Sequence, residues 1–297
     1  MVTRRRQRTA SGDSGLVVSR VSRAPRTGDA GLTVTWIGHS SFLLQSNGVS
    51  VLTDPIWSKR ASPVQFAGPR RHTPPGVEFE KLPSIDAVFI SHDHYDHLDK
   101  QTVRRIVSGF PQAKWFAPLH VGEFLRKRGA VNVVEMDWWQ AGDLGPPSAW
   151  CTPAQHFSGR YPWNRNATLW CGWVIGIGDH RVFFAGDTGL HPEFGRIARR
   201  FGPLDAAILP IGAYEPRWFM QPVHMSPEDA VSAYLQIRRG SPSDNCIFIP
   251  SHWGTFRLTD EPLDEPPRLL RKTWAEAHLP ENRLSLIKPG ETIRHGT

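Results

Sequence analysis

The run Ser91-His92-Asp93-His94-Tyr95-Asp96-His97 constrains this chain more than any other feature. His92, His94 and Asp96 stand at i, i+2 and i+4, and a locally extended segment turns such positions to one side. His97, one residue on, can reach a second position beside the first. Imidazole and carboxylate together suit zinc, iron or manganese. With 13 His in 297 residues, H-x-H-x-D-H arises by chance in roughly one chain per thousand of this composition. A plain polar surface loop is therefore a poor account of it.

Candidate partners stand elsewhere in equivalent places. His156 follows the apolar run 149–153, Asp187 follows 182–185 in Phe-Phe-Ala-Gly-Asp-Thr, and His252 follows 247–250. Ligands of open α/β sheets collect at the carboxyl ends of strands, where all four clusters would fall.

The surrounding pattern supports such sheets. Residues 32–37, 41–45 and 49–53 read as strands, with Asn47-Gly48 as the hairpin turn between the last two. Residues 55–83, rich in Pro, Gly and Arg, form a long loop. Residues 86–90 are an apolar strand, and 99–108 has helical spacing with Val103, Ile106 and Val107 on one face. Further strands are expected at 114–117, 131–136, 149–152, 168–177, 181–185, 206–210, 246–250 and 283–288. Helices fit 121–127, 192–201, 227–237 and 267–278, the third opened by Ser226 as cap and Pro227 at the first position. Mixed elements of this kind make sheets covered by helices. No linker interrupts residues 31–297, which read as one domain.

Charge separates a tail from that domain. The net charge of +7 looks like a nucleic-acid signal until it is located. Arg4, Arg5, Arg6, Arg8, Arg20, Arg23 and Arg26 outnumber Asp13 and Asp29 by five, leaving +2 for the rest. Residues 1–30 are poor in large apolar side chains and are expected to be a disordered basic tail. The nearly balanced body argues against a nucleic-acid partner. No stretch approaches the roughly 20 apolar residues of a membrane span. No apolar core follows Arg4–Arg6 as a secretion signal requires. Cys151, Cys171 and Cys246 are far apart and odd in number, so they are expected in the core of a protein kept in a reducing cytoplasm.

The ligand pattern resembles the metallo-β-lactamase superfamily. That resemblance implies an α/β fold, a four-layer αβ/βα sandwich, with a binuclear site. Its pattern places one metal on His92, His94 and His156 and the other on Asp96, His97 and His252, with Asp187 bridging. A carboxylate at Asp187, where β-lactamases of this fold often carry Cys, resembles the hydrolases of phosphodiesters, thioesters and lactones. His94, in place of an acid, argues against the oxygen-reducing di-iron branch. Two divalent ions, taken here as zinc with iron or manganese as alternatives, would lower the pKa of a water between them from about 15.7 towards neutrality. The expected nucleophile is that metal-bridging hydroxide, oriented by Asp96, and no Ser or Cys nucleophile is required.

Further motifs resemble one group within the superfamily, the N-acylphosphatidylethanolamine-hydrolysing phospholipases D. They are Trp36-Ile37-Gly38-His39-Ser40, Leu52-Thr53-Asp54-Pro55-Ile56, residues 58–63 and 90–99, Asp137-Trp138-Trp139, residues 183–189 and 252–256, and above all 210–220 (Pro-Ile-Gly-Ala-Tyr-Glu-Pro-Arg-Trp-Phe-Met). The resemblance covers about residues 34–290. It implies hydrolysis to N-acylethanolamine and phosphatidic acid, with Tyr95 and His224 contacting substrate and His224 serving catalysis. His39 is expected beneath the metals. Trp57 and Phe66, in the early loop, are candidates for touching a bilayer, and most other Trp are expected in the core. Arg70, Arg71 and Arg217 are expected to be solvated or salt-bridged. The leader and Phe157-Ser158-Gly159-Arg160 depart from the eukaryotic enzymes. A smaller phosphodiester or a lactone therefore stands as an alternative substrate. A non-enzymatic lipid-binding protein with a vestigial metal site is the alternative of another class. Peripheral contact with the inner face of a membrane and a homodimer are left open.

Overall fold

The Asn47-Gly48 turn starts the architecture. Both residues take positive φ, as a two-residue hairpin demands. The turn joins β2 (Ser41–Ser46) to β3 (Val49–Thr53), and β1 (Leu32–Gly38) pairs antiparallel with β2. Beyond β3 the sheet becomes parallel through β4 (Ala87–Phe89), β5 (Lys114–Pro118) and β6 (Val133–Met136). Parallel neighbours need crossovers, and α1 (Lys100–Gly109) and α2 (Gly122–Arg126) lie in two of them. Asp99 caps α1 by accepting from the backbone of Gln101 and Thr102. The computed structural model describes residues 30–142, 145–241, 243 and 245–296, so the tail expected to be disordered lies outside the described residues but for Ala30.

The second sheet has a matching plan. Strands β7 (Ala141–Gly142), β8 (Ser148–Thr152), β9 (Gly172–Ile177) and β10 (His180–Phe184) are antiparallel. After α3 (Phe194–Phe201), β11 (Ala206–Pro210) joins β10 in parallel. Then α4 (Arg217–Met220) and α5 (Pro227–Gly240) lead to β12 (Ile247–Ser251), parallel to β11. Finally α6 (Glu265–Glu276) leads to β13 (Thr292–His295), which returns to the first sheet beside β1. Each sheet has an antiparallel part and a parallel part, three pairings of each in the first and three against two in the second.

Period-two alternation makes four layers of this. Phe42, Leu44, Phe89 and Phe116 face the second sheet, where Phe89 stacks on Phe116 at 4.6 Å and meets Trp173 at 5.4 Å. Their neighbours Leu43, Val88 and Trp115 point the other way, against Val103 and Ile106 of α1 and Leu125 of α2. Burying such side chains contributes about 1.5–3 kcal/mol each. On the far face of the second sheet, Tyr234 of α5 and Trp274 of α6 pack on Phe248.

Some expectations fail for identifiable reasons. Residues 283–288 are not a strand: Leu284 makes one bridge to Phe248, and a 3-10 turn occupies Glu281–Arg283. The true last strand, Thr292–His295, is polar and half exposed, so apolar alternation gave it no signal. Strand β9 begins at Gly172, because Leu169 and Cys171 spend their N–H groups on Leu119 and Ser91 outside the sheet. Trp57 turns inward, donating to the Val77 carbonyl at 2.9 Å and packing on Phe79; it is not a surface aromatic. Conversely, Trp218 and Trp163 are 83% and 81% exposed. All three cysteines are free and buried.

Candidate metal centre

Strand ends converge on one edge of the sandwich and deliver every candidate ligand there. The motif follows β4, His156 follows β8, Asp187 follows β10 and His252 follows β12. Two further side chains arrive the same way: His39 after β1 and Asp54 after β3. His39, Asp54 and His252 all take positive φ (55°, 34° and 60°), a left-handed turn that non-glycine residues rarely adopt and that clusters at functional sites. Gly186, just before Asp187, also has positive φ, and a Cβ there would stand 2.7 Å from that of Ser91. Only glycine lets the Asp187 loop approach the motif so closely.

Two trios of ligand atoms result. In the first, Nδ1 of His94 lies 2.9 Å from Nε2 of His92 and 3.2 Å from Nε2 of His156. In the second, Oδ2 of Asp96 lies 3.2 Å from Nε2 of His97 and 3.3 Å from Nε2 of His252. Oδ2 of Asp187 stands between them, 3.1 Å from His97 and 3.0 Å from His252, and 4.0 Å from both His92 and His156. Ligand atoms about 2.0–2.1 Å from a zinc stand about 2.9–3.4 Å apart in octahedral to tetrahedral shells, so these edges fit an ion in each trio. Nε2 of His97 and Oδ1 of Asp187 are buried without a hydrogen-bond partner, as atoms reserved for a metal are. The donor set fits divalent ions of the zinc, iron and manganese kind.

Supporting hydrogen bonds orient the rings. Asp54 accepts from Nδ1 of His97 at 2.7 Å, leaving Nε2 for the centre, and from the backbone N–H and hydroxyl of Ser91. The Ser91 hydroxyl also lies 2.9 Å from Nδ1 of His92. Nδ1 of His156 donates to the Val223 carbonyl at 3.0 Å. His39 donates from Nε2 to Oδ2 of Asp96 at 2.9 Å, placing it beneath the second trio as its motif implied. The role of Asp54 was missed from sequence, although a carboxylate at the end of an apolar strand was a usable signal. Asp93 also finds its purpose: its carboxylate accepts from Gly159 N–H and its carbonyl from Arg160, tying the loop after His156 to the motif.

Electrostatics divide the trios. Burial and the neighbouring rings hold His92 and His156 well below the usual imidazole range, and burial also lowers His94. Burial pulls on His252 and His97 as well, but Asp187 and Asp96 outweigh it. His252 is pushed up to about 9 and His97 well above its usual range. The same contacts hold Asp96 and Asp187 ionised against their burial.

The expected substrate residues part company. His224 sits in the centre, its Nδ1 3.9 Å from Asp187 and without a hydrogen-bond partner, its ring 5.0 Å from that of His156. It does not cap α5, a task that falls to Ser226. The Tyr95 hydroxyl instead donates to the Arg160 carbonyl at 2.8 Å, with the Arg160 guanidinium over its ring. Arg217 is paired with Asp229 at 2.6 Å, and Arg71 is buried against the Ile56 and Ser58 carbonyls.

Residues 50–253 match the family described as Beta-lactamase superfamily domain. The chain belongs to the metallo-β-lactamase superfamily. Among other superfamily members, it is 47% identical over 90% of its length to the uncharacterized protein Rv0906 of Mycobacterium tuberculosis, covering 70% of that protein. It is 40% identical over 94% of its length to N-acyl-phosphatidylethanolamine-hydrolyzing phospholipase D 1 of Caenorhabditis elegans, covering 80% of it. A possible metal-dependent hydrolase of Veillonella parvula has the same fold, with a TM-score of 0.67 at 18% identity over 89% of this chain and 99% of that one. This metallo-β-lactamase-fold chain is a metal-dependent hydrolase.

Proposed function

We propose that the chain is a zinc-dependent phosphodiesterase of phospholipase D type, converting N-acylphosphatidylethanolamine and water to N-acylethanolamine and phosphatidic acid. The observation that carries the reading is the position of Asp187 Oδ2 between two complete trios, in a chain whose similarity to a named phospholipase D runs almost end to end. His92, His94 and His156 would hold one zinc, Asp96, His97 and His252 the other, and Asp187 both. When bound, the pair supplies an acidified water and positive charge for phosphoryl oxygens.

The chain's own groups do the rest. Asp96, held ionised and anchored by His39, can accept a hydrogen bond from the attacking water and fix its direction. Water oxygen adds to phosphorus, the bond from phosphorus to the ethanolamide oxygen breaks, and that oxygen takes up the proton the attacking water gives up. Burial lowers the pKa of His224 to about 4, so at neutral pH its imidazole is uncharged. It therefore serves as a hydrogen-bond donor to a phosphoryl or leaving oxygen, positioning substrate rather than delivering a proton from imidazolium. Tyr95 shapes the approach through Arg160.

Lipid access fits the surface. Trp218 and Phe219 on α4 are 83% and 63% exposed, and they precede His224 by only a few residues. Aromatic side chains so placed suit peripheral contact with a bilayer. Among the described residues no helix is long and apolar enough to cross a membrane.

The test is incubation of zinc-loaded protein with N-acylphosphatidylethanolamine vesicles, followed by mass spectrometry of the products. N-acylethanolamine and phosphatidic acid are expected, and chelator should abolish both. An unchanged kcat/KM on shortening the acyl chains would overturn the lipid assignment.

A further inference from the structure

A cavity of about 220 Å³ opens beside the metal motif; Tyr95 of the motif lines it, but none of the seven candidate metal ligands does. Its walls carry Lys100 and Arg104 of α1, Arg128 just after α2, and Arg160. The one acid among its lining residues, Asp99, is occupied: its carboxylate accepts from the Ser58 hydroxyl at 2.7 Å, the Thr102 hydroxyl at 2.6 Å and the α1 backbone. Neither Lys100 nor Arg104 makes an ion pair with a described residue, whereas the adjacent Arg105 is paired with Glu80.

The guanidiniums are crowded. Arg128 and Arg160 lie over the Phe124 ring at 3.3 and 4.6 Å. Arg128 Nε is buried without a partner. Burial, then Arg160 and Arg104, lowers the pKa of Arg128. Four cations, Lys100, Arg104, Arg128 and Arg160, against the single carboxylate of Asp99 leave the cavity lining strongly positive, a site for a multiply charged anion. Guanidinium forks match phosphate oxygens, and a phosphomonoester carries about −1.5 to −2 charge at pH 7.

The rim says what carries that anion. Along one edge Ser62, Pro63 and Gln65 line the cavity while Phe66 projects outward, 83% exposed. On another edge Tyr161 lines it and stacks on Trp163, which is 81% exposed. Apolar rings flanking a cationic pocket suit a headgroup at a bilayer surface rather than an ion free in water.

We propose that this cavity binds the phosphomonoester headgroup of a membrane lipid, apart from the metal centre. The site stands on its own geometry. Should the reaction proposed above also hold, its phospholipid product carries the same group, and the pocket would hold the enzyme on membrane it has already worked.

The experiment is sedimentation of the zinc-loaded chain with three kinds of phosphatidylcholine vesicle: plain, containing phosphatidic acid, or containing phosphatidylglycerol at matched charge. Wild type should favour phosphatidic acid over phosphatidylglycerol by about 10-fold. The double variant Arg104→Gln, Arg128→Gln should lose that preference while keeping its zinc content and Tm. The single variant Arg104→Gln, at an exposed helix position, should lose part of it without risk to folding. Equal binding to both anionic vesicles, or a preference that survives the double variant, would overturn the proposal. Calorimetric binding of inorganic phosphate that the double variant loses, without any vesicle preference, would overturn the lipid source.

Discussion

The two trios differ in what holds them and in the charge they present. His92, His94 and His156 are three imidazoles steered by neutral groups, the Ser91 hydroxyl and the Val223 carbonyl. Asp96, His97 and His252 sit among three carboxylates: Asp96 itself, Asp54 behind His97, and Asp187, about 1 Å nearer to them than to the first trio. Opposite charge and fixed ring orientation both raise metal affinity. The second position should therefore bind its ion more tightly and exchange it more slowly. If both positions are filled as proposed, one ion is expected to be fixed and the other more exchangeable.

The largest break in that comparison comes from Asp187, the group the trios share. Asp187→Asn keeps the shape and removes the charge. We expect turnover to fall by about 10³-fold or more, with weaker metal binding at both positions and an unchanged circular dichroism spectrum. Retained turnover would remove the shared role.

Asp54 breaks it unequally. Asp54→Asn leaves His97 without its carboxylate, whereas His92 loses support only through Ser91. Supporting groups of this kind typically carry about 10–100-fold in metal affinity. Competitive chelator titration with elemental analysis should show the tighter class of site weakened by that factor and the weaker class changed less. Equal weakening would mean that Asp54 supports the motif as a whole.

Proton release sharpens the comparison without mutation. In metal-free protein His252 has a pKa of about 9, where the ordinary value is 6.5. The stability its protonated pairing with Asp187 contributes is thus complete below about pH 6.5 and lost as pH rises through 9. Metal needs neutral rings, so loading the second position at pH 7.5 must expel that proton and the one that Asp187 and Asp96 hold on His97, and affinity there should climb as pH rises through 9. The first trio's rings are already neutral. Calorimetry in buffers of different ionisation enthalpy should find more protons released as the tighter site fills than as the weaker one does, where only the acidified water has a proton to give.

What sequence revealed follows the same division. Four of the seven candidate ligands stood out because their spacing is local, and the other three because each follows a strand of apolar residues. The four layers were expected from the family resemblance; the alternation of Phe42, Leu43 and Leu44 between two cores is their physical basis. Asp54 was quoted within a motif but given no task, since its partners Ser91 and His97 lie 37 and 43 residues away. The direction of Tyr95 depends on Arg160, 65 residues on, and no local pattern encodes it. Strand β13 and helix α4 were invisible because they bury little, and burial is what periodicity reports.

His39 is the finest probe of the comparison, because it touches only the second trio. Its Nε2 donates to Asp96, and its ring packs 4.1 Å from that of His252 and edge-on to Phe256. Burial lowers its pKa to about 3, so it is a neutral donor whose effect is to fix the Asp96 carboxylate. His39→Gln can keep a donor near Asp96, while His39→Leu fills the space without one. We expect the leucine variant to weaken the tighter metal site by about 10-fold, the low end of the about 1.5–3 kcal/mol of one hydrogen bond to a charged group. The glutamine variant should recover part of this, and the weaker site should not respond to either. If both variants weaken both sites alike, the ring acts as packing for the whole centre and Asp96 is fixed by its other partners.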